Sequence, residues 1–477
     1  MPEHMYRFRS IENLLGKGDR LGELEGQYIF FAAPETLNDP LEGYREMYWS
    51  GDRVLWRNLL KHYITTLTIK AFQFIDEDLF VETFPIKHRI NQMPPEVIEV
   101  VKICCDAFFE DQSIRRHIEV LSINKRHVKR AELQCHLQLI HKFALYNVGH
   151  TIDKKIRGIE TEPKPFNKER HISLCKAFLD EIEKSLKLIE NQTASDIEQG
   201  HQEILTALNE MNFNVQYHQW KRNGGDPWFE ISMSFPQEYL QNIGKLNFPE
   251  WYVACFMSEC TDSSIWGTYG NNHSAVCLKF KTSGSPGALK MRLKMPSGVN
   301  QKGVVFSDTD VPLHKVCYDE NFVEIDFFAS LGGVTAPDLG TEWFRDREGN
   351  LSARSEILDS GNTDWQRNYN QNYQKSITVK MGDWHKENEF RLTMHSYLLD
   401  IQNPKNRCIQ YDFNSLDGVI FGINTPPKDK MKIITIIENL CIKNSRKDFN
   451  FYQARYDNFQ RKICIDQVKI REVGKNT

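Results

Sequence analysis

No apolar run in the chain approaches a bilayer's width, no Cys-x-x-Cys pair occurs among its 11 cysteines, and charge of neither sign is in strong excess. Each absence closes a class of function. A spanning helix needs roughly 20 consecutive apolar residues, so no membrane role is expected. The opening stretch MPEHMYRFRS lacks the apolar segment of a secretion signal, so a cytosolic protein is expected. Zinc clusters draw on closely paired ligands, and an odd cysteine count in a cytosolic chain argues against a disulfide framework. Cys255, Cys277 and Cys317 instead lie in strand-like runs, where a free thiol behaves as a small buried hydrophobe. A formal net charge of -4 gives no broad attraction to nucleic acid or anionic lipid. No internal repeat is evident.

What is present is an ordinary mixture over 477 residues, more than one compact core usually holds. Near the start, Tyr6 and Phe8 alternate with Arg7 and Arg9, which predicts a strand entering a turn or helix at Ser10. A second strand is predicted over Tyr28 to Ala33, then a polar turn at Asn38, Asp39 and Pro40 before Glu42; Asn38 and Asp39 suit an Asx turn or a helix cap. From about Trp49 to Gln219 the pattern is helical. Leu133, Leu137, Ile140 and Ala144 share one face, as do Phe178, Ile182, Leu186 and Ile189, with breaks at Pro94-Pro95 and over Thr161 to His171. His136, His141 and His150 read as surface or hydrogen-bonded core histidines. Lys221 to Pro227 is a turn-rich exit.

Strand signals return over Trp251 to Glu259. A short helix capped by Asp262 or Ser263 follows, with Trp266 and Tyr269 on one side, and then a strand in which Val276, Leu278 and Phe280 alternate with Cys277 and Lys279. Thr282 to Gly298 reads as loop, His314 to Glu320 as strand, and Gly332 to Gln374 as loop with short helices. The motif WHKENEFRL, opened by Trp384, predicts a half-buried strand with Glu387, Glu389 and Arg391 on one face and Phe390, Leu392 and Met394 on the other. CIQYDF, GVIFGIN, a helix around Lys428 to Asn439 and CIDQVKI complete the pattern. The expected fold is α+β: a β-rich core over 1–48 and 246–477, split by a helical insertion over 49–245.

YRFRS, LNDPLE, CFMSE followed by WGTYGNNHSAVCLKF, KVCY, WHKENEFRL and GVIFGIN resemble, in this order, the bacterial domain-of-unknown-function 2971 family. The likeness covers about the first fifty residues and most of the chain beyond Glu250. The helical block looks like an insertion of a subgroup. The resemblance implies the architecture and an association with bacterial defence or toxin-type effectors, and leaves the reaction open.

The residue order is also similar to that of ADP-ribosyltransferases: an early strand arginine, a serine at a middle strand end, and a late Glu-x-Glu. Here these are Arg7 or Arg9, Ser258, and Glu387 with Glu389. The likeness implies a transferase-like core and NAD as substrate. Glu389 would stabilise the oxocarbenium-like cation formed when nicotinamide leaves, and Glu387 would orient the acceptor. Arg7 or Arg9 would clamp the pyrophosphate, Ser258 hold a ribose or amide, and Trp266 or Tyr269 stack on nicotinamide. The acceptor, a macromolecule or phage component, would be chosen by the helical insertion. Two alternatives stay open. Asp39, Glu42, Glu387 and Glu389 could hold magnesium in a nuclease or phosphodiesterase. The core could also serve as a non-catalytic sensor or adaptor that binds a small ligand or phage protein, with the helical block as contact surface; on the blandest reading of the motif the two glutamates form a solvated strand face paired loosely with Arg391 and lysines.

Overall fold

Eight of the strands meet in one mixed sheet, while Tyr28–Phe30 and Cys408–Gln410 pair separately. The computed structural model describes residues 4–18, 20–75, 83–123, 126–159, 166–187, 194–223, 227–285, 287–318, 321–359, 361–395 and 398–469. The strands of the sheet are His4–Arg9 (β1), Tyr252–Met257 (β2), Val276–Lys281 (β3), His314–Lys315 (β4), Glu389–Met394 (β5), Leu416–Phe421 (β6), Asn450–Asp457 (β7) and Lys462–Val468 (β8), in the spatial order β4-β5-β2-β1-β3-β6-β7-β8. Every neighbouring pair is antiparallel except β6 and β7. Parallel neighbours need a crossover, and the helix Pro427–Lys443 supplies it.

Both faces of the central strands are covered. Met5, Ala254, Phe256, Leu278, Phe280, Leu392 and Val419 form one core with Ile433 and Ile437 of the crossover helix. On the other face Phe8, Met257, Cys277 and Ile420 pack with Trp266 of the helix Ser263–Thr268. That helix is capped by Asp262, as the sequence allows, and Ser10 likewise caps the helix Ile11–Leu15 after β1. All 11 cysteines are free.

The chain divides into two compact units. One comprises Met1–Tyr44, Glu250–Val323 and Gln374–Thr477 and contains the sheet; the other comprises Arg45–Pro249 and Glu324–Tyr373. The segment Glu324–Tyr373, expected in the core, therefore belongs with the helices. Its strand Glu324–Asp326 pairs in parallel with Glu46–Trp49, and Phe327 and Phe328 pack on Trp49 and Trp56. In the same unit the helix Arg130–Lys155 buries Leu133, Leu137, Ile140 and Ala144, as their period predicts. Ile182 is buried beside Phe178 and Leu186; Ile189 lies outside the described residues. His136 meets His117 at 2.8 Å, His141 sits between the Tyr63 hydroxyl and Ile231 O, and His150 stacks on Tyr146. Among the described residues no helix is long and apolar enough to cross a membrane.

Three local expectations are corrected. The loop expected over Thr282 to Gly298 is mostly strand, because Lys290–Asn300 pairs with Gly303–Pro312 in a long hairpin. Met291 and Leu293 turn inward while Lys290, Arg292 and Lys294 turn out, so alternation outweighs the Gly, Ser and Pro content. The strand expected over His314 to Glu320 splits: β4 joins the sheet, whereas Cys317–Tyr318 pairs in parallel with Val379–Lys380; residues 319 and 320 lie outside the described residues. The strand expected from Trp384 begins only at Glu389, since Gly382–Glu387 forms a 3-10 turn.

A buried carboxylate pair as candidate active site

Asn388 ends that turn with φ 43°, a left-handed conformation that asparagine tolerates better than most residues. The reversal breaks strand alternation between Glu387 and Glu389, yet both carboxylates reach one lysine. The Lys380 ammonium donates to Glu387 Oε2 at 2.7 Å and to Glu389 Oε2 at 3.4 Å, and lies 4.6 Å from the centre of the Trp384 ring. Lys380 is held on the short strand Val379–Lys380, in register with Tyr318.

Arg391 joins these groups to the NDPLE turn. Its Nε and Nη2 donate to Glu389 at 2.8 and 3.2 Å, while Nη1 and Nη2 grip the Glu42 carboxylate at 2.6 and 2.9 Å. Nη1 also reaches Ile377 O at 2.8 Å. Glu42 is aimed by its turn, in which Asp39 Oδ1 accepts from Leu41 N–H at 2.9 Å, Glu42 N–H reaches Asp39 O, and Gly43 takes φ 68°. Tyr269 donates its hydroxyl to Glu387 Oε1 at 2.5 Å, and the Tyr318 hydroxyl accepts from Glu389 N–H at 2.8 Å. The Cys255 thiol completes the set by bonding to Glu389.

This is no solvated strand face. Glu387 is 4% exposed, Glu389 2% and Arg391 0%. Three carboxylates share two cations, and their environments separate them. Burial, together with the neighbouring Glu389 charge, raises the pKa of Glu387 against the pull of Lys380 and Tyr269. Burial also opposes ionisation of Glu389, but Arg391 and Lys380 outweigh it and hold that carboxyl below the usual range. Burial raises Glu42 despite Arg391. Lys380 is disfavoured by burial, yet Glu389 and Glu387 hold its pKa above the usual lysine value.

The linkage has a definite sign. Glu389 contributes stability that is present above its unfolded value and lost as pH falls through its folded one. Glu387 does the opposite, since its contribution is present below the unfolded value near 4.5 and lost as pH rises through the raised folded value. Relative to Glu387→Gln, the wild-type protein is therefore expected to lose stability as pH rises above about 4.5 and through the raised folded value, measured as the difference in urea unfolding free energy. A pH-independent difference would show that Glu387 titrates as an ordinary carboxylate.

The predicted site residues divide. Glu42, Tyr269, Trp384, Glu387 and Glu389 come together. Ser258 is adjacent through its backbone, with its N–H donating to Asn388 O at 3.3 Å. Asp39 is spent on the turn and Asn38 is exposed. Arg7 and Arg9 do not join: Tyr6 stands opposite Met257 and Met257 opposite Glu389, so strand alternation sends both arginines to the other face of the sheet. There Arg7 donates to Cys255 O at 3.2 Å and Phe30 O at 2.8 Å over the Phe256 ring, and burial beside Arg9 brings its pKa down to about 10. Arg9 pairs with Glu23. Trp266 is a core residue, 0% exposed, edge-on to Phe8 at 4.8 Å with its indole N–H on Cys260 O. The magnesium arrangement gains no support, because Arg391 occupies both Glu42 and Glu389 and no group of three His, Cys, Asp or Glu among the described residues is placed to hold a metal.

Sequence reasoning missed Lys380, Tyr318 and Cys255 as members of this cluster. Comparison with protein-family models, with curated proteins and with solved structures finds no match.

Proposed function

We propose that Glu387 and Glu389 form the catalytic pair of an enzyme that breaks the nicotinamide glycosidic bond of NAD and passes ADP-ribose to a macromolecular acceptor or to water. One observation carries this reading: two neighbouring carboxylates share Lys380 yet have opposite shifts in proton affinity. Such splitting assigns two roles to two chemically identical groups.

As the C–N bond breaks, nicotinamide leaves with the bonding electrons and the ribose becomes oxocarbenium-like. Glu389, kept ionised by Arg391 and Lys380, supplies the fixed negative charge that stabilises this cation. Glu387, a stronger base than a free carboxylate, takes the proton of the incoming hydroxyl. Tyr269 and Tyr318, both half-buried, flank the pair through their bonds to Glu387 and to the Glu389 N–H. With Arg7 and Arg9 on the opposite face, the cation we assign to the pyrophosphate is Lys279, which continues the strand row running from Glu389 through Met257 and Tyr6 and would exchange its 2.9 Å pairing with Asp417 for the phosphate. The resemblance in the six motifs supports a defence or toxin setting for such an activity.

Incubation with labelled NAD and a bacterial extract tests the reading. Wild-type protein is expected to label an acceptor or release nicotinamide, with Glu387→Gln and Glu389→Gln each reduced by about 100-fold or more while remaining folded by circular dichroism. No labelling and no turnover by the wild type under any extract condition would sink it. A non-catalytic adaptor is the second reading, favoured by the complete pairing of Arg391 inside the protein. It predicts ligand or partner capture without NAD turnover.

A further inference from the structure

A second site lies in the helical unit, within residues that the carboxylate chemistry does not use. A cavity of about 450 Å³ opens between the helix Arg53–Gln73, the loop around Ile86 to Met93 and the segment Gly333 to Trp343. Its size falls in the range of small-ligand sites. Along the helix, Asn58, Lys61, His62 and Thr65 recur at intervals of three and four, so one helical face forms a wall.

Three aromatic rings border this space. His62 stacks on His88 with centroids 4.5 Å apart and planes at 23°, and lies 5.2 Å from the Trp343 ring. The imidazole nitrogens already have partners: His62 Nδ1 meets the Tyr239 hydroxyl at 2.9 Å, His62 Nε2 meets Ile86 O at 3.1 Å, and His88 Nε2 meets Thr66 Oγ1 at 3.1 Å. Burial drives His62 well below its ordinary pKa and brings His88 to about 4, so both rings are neutral near pH 7. With their nitrogens engaged and their rings packed on one another, these residues give the cavity an uncharged aromatic wall in place of a metal site or an anion clamp.

The lining also carries charge, in the wall and on the rim. Lys87 and Arg89 are exposed on the loop that borders the cavity. Arg89 Nε stands 3.4 Å from Asp338 Oδ2, longer than a strong charge-assisted bond, while Asp338 takes a 2.5 Å bond from the Thr335 hydroxyl. Lys61 is more firmly held, at 2.6 Å from Glu342. Asn91 and Gln92, also exposed on the loop, can donate and accept at the edge of a planar heterocycle. Flat rings inside, amide groups at the margin and two cations on one rim loop match a base joined to a phosphate.

We propose that this cavity binds a mononucleotide, with its base lying against the wall formed by His62 and His88 and its phosphate held by Lys87 and Arg89. The site is separate from the Glu387–Glu389 cluster in residues and chemistry, and the proposal stands whether or not that cluster turns over NAD. Phosphate contributes through charge-assisted bonds at the rim, and the base through contact with the aromatic wall.

Isothermal titration of the full chain with AMP, UMP, adenosine and inorganic phosphate provides the test. Saturable binding of AMP or UMP is expected, weakened about tenfold or more in a Lys87→Ala/Arg89→Ala double variant. Adenosine is expected to bind the wild type and the double variant equally. Both rim side chains are exposed, and circular dichroism of the double variant checks that it folds. The proposal is overturned if neither nucleotide binds, if the rim double variant binds them as the wild type does, or if inorganic phosphate binds as tightly as the nucleotides.

Discussion

Replacing Arg391 by methionine is expected to lower stability by about 3–5 kcal/mol, read from urea unfolding midpoints at unchanged slope. The side chain has five N–H donors, all committed within the protein: three to Glu389 and Glu42 through Nε and Nη2, and two through Nη1 to Glu42 and Ile377 O. Methionine fills much of the volume but leaves two carboxylates with burial and no guanidinium. Lys380 reaches only Glu389 of these two by hydrogen bond. Much of the loss should return when Glu42→Gln and Glu389→Gln are added, because neutral amides remove the stranded charge. A loss below about 1 kcal/mol would mean that water screens the cluster, as for a surface ion pair.

Trp266→Ala is expected to cost about 3–5 kcal/mol as well, through a cavity between the sheet and the helix Ser263–Thr268. The indole touches Phe8 and fills the small core that also holds Met257, Cys277 and Ile420. Tyr269→Phe, three residues on, should behave differently. It removes one hydroxyl from Glu387 and costs about 1.5–3 kcal/mol, while shifting the pH dependence of activity upward because the ionised carboxylate loses a donor. Parallel thermal unfolding and pH–rate profiles check both. Equal effects of the two substitutions on stability and on pH profile would contradict the division of these rings into core and site.

Their division also shows where sequence pattern stops. A spacing of three puts Trp266 and Tyr269 on one side of a helical turn, but the turn is short, and only the position of Glu387 decides which ring meets a carboxylate. Strand alternation correctly separated Arg7 and Arg9 from Tyr6 and Phe8; what it could not supply was the pairing register that sets Tyr6 in one row with Glu389. Asn388 carried a readable hint, since asparagine is one of the few residues at ease with positive φ, and recognising it would have moved Glu387 off the strand. Lys380 gave no such hint. It stands on a two-residue strand, too short for a period, and reaches the site through the Tyr318 register. The helical faces were legible because Leu133 to Ala144 span several turns of one long helix. The hairpin Lys290–Asn300 with Gly303–Pro312 was obscured by its glycines and prolines, although Met291 and Leu293 alternate with basic residues.

The placement of β1 governs how this chain can assemble. It lies inside the sheet between β2 and β3, and 248 residues separate Arg7 from the Cys255 carbonyl that it holds. During synthesis β1 leaves the ribosome long before either neighbour exists, so its paired state waits on a large loop closure. The helices of Arg45–Pro249 emerge in that interval, but their unit is complete only once Glu324–Tyr373 has followed. Until β2 and β3 arrive, Met5 and Phe8 remain on a strand without partners, a species open to capture by chaperones or by edges of other chains.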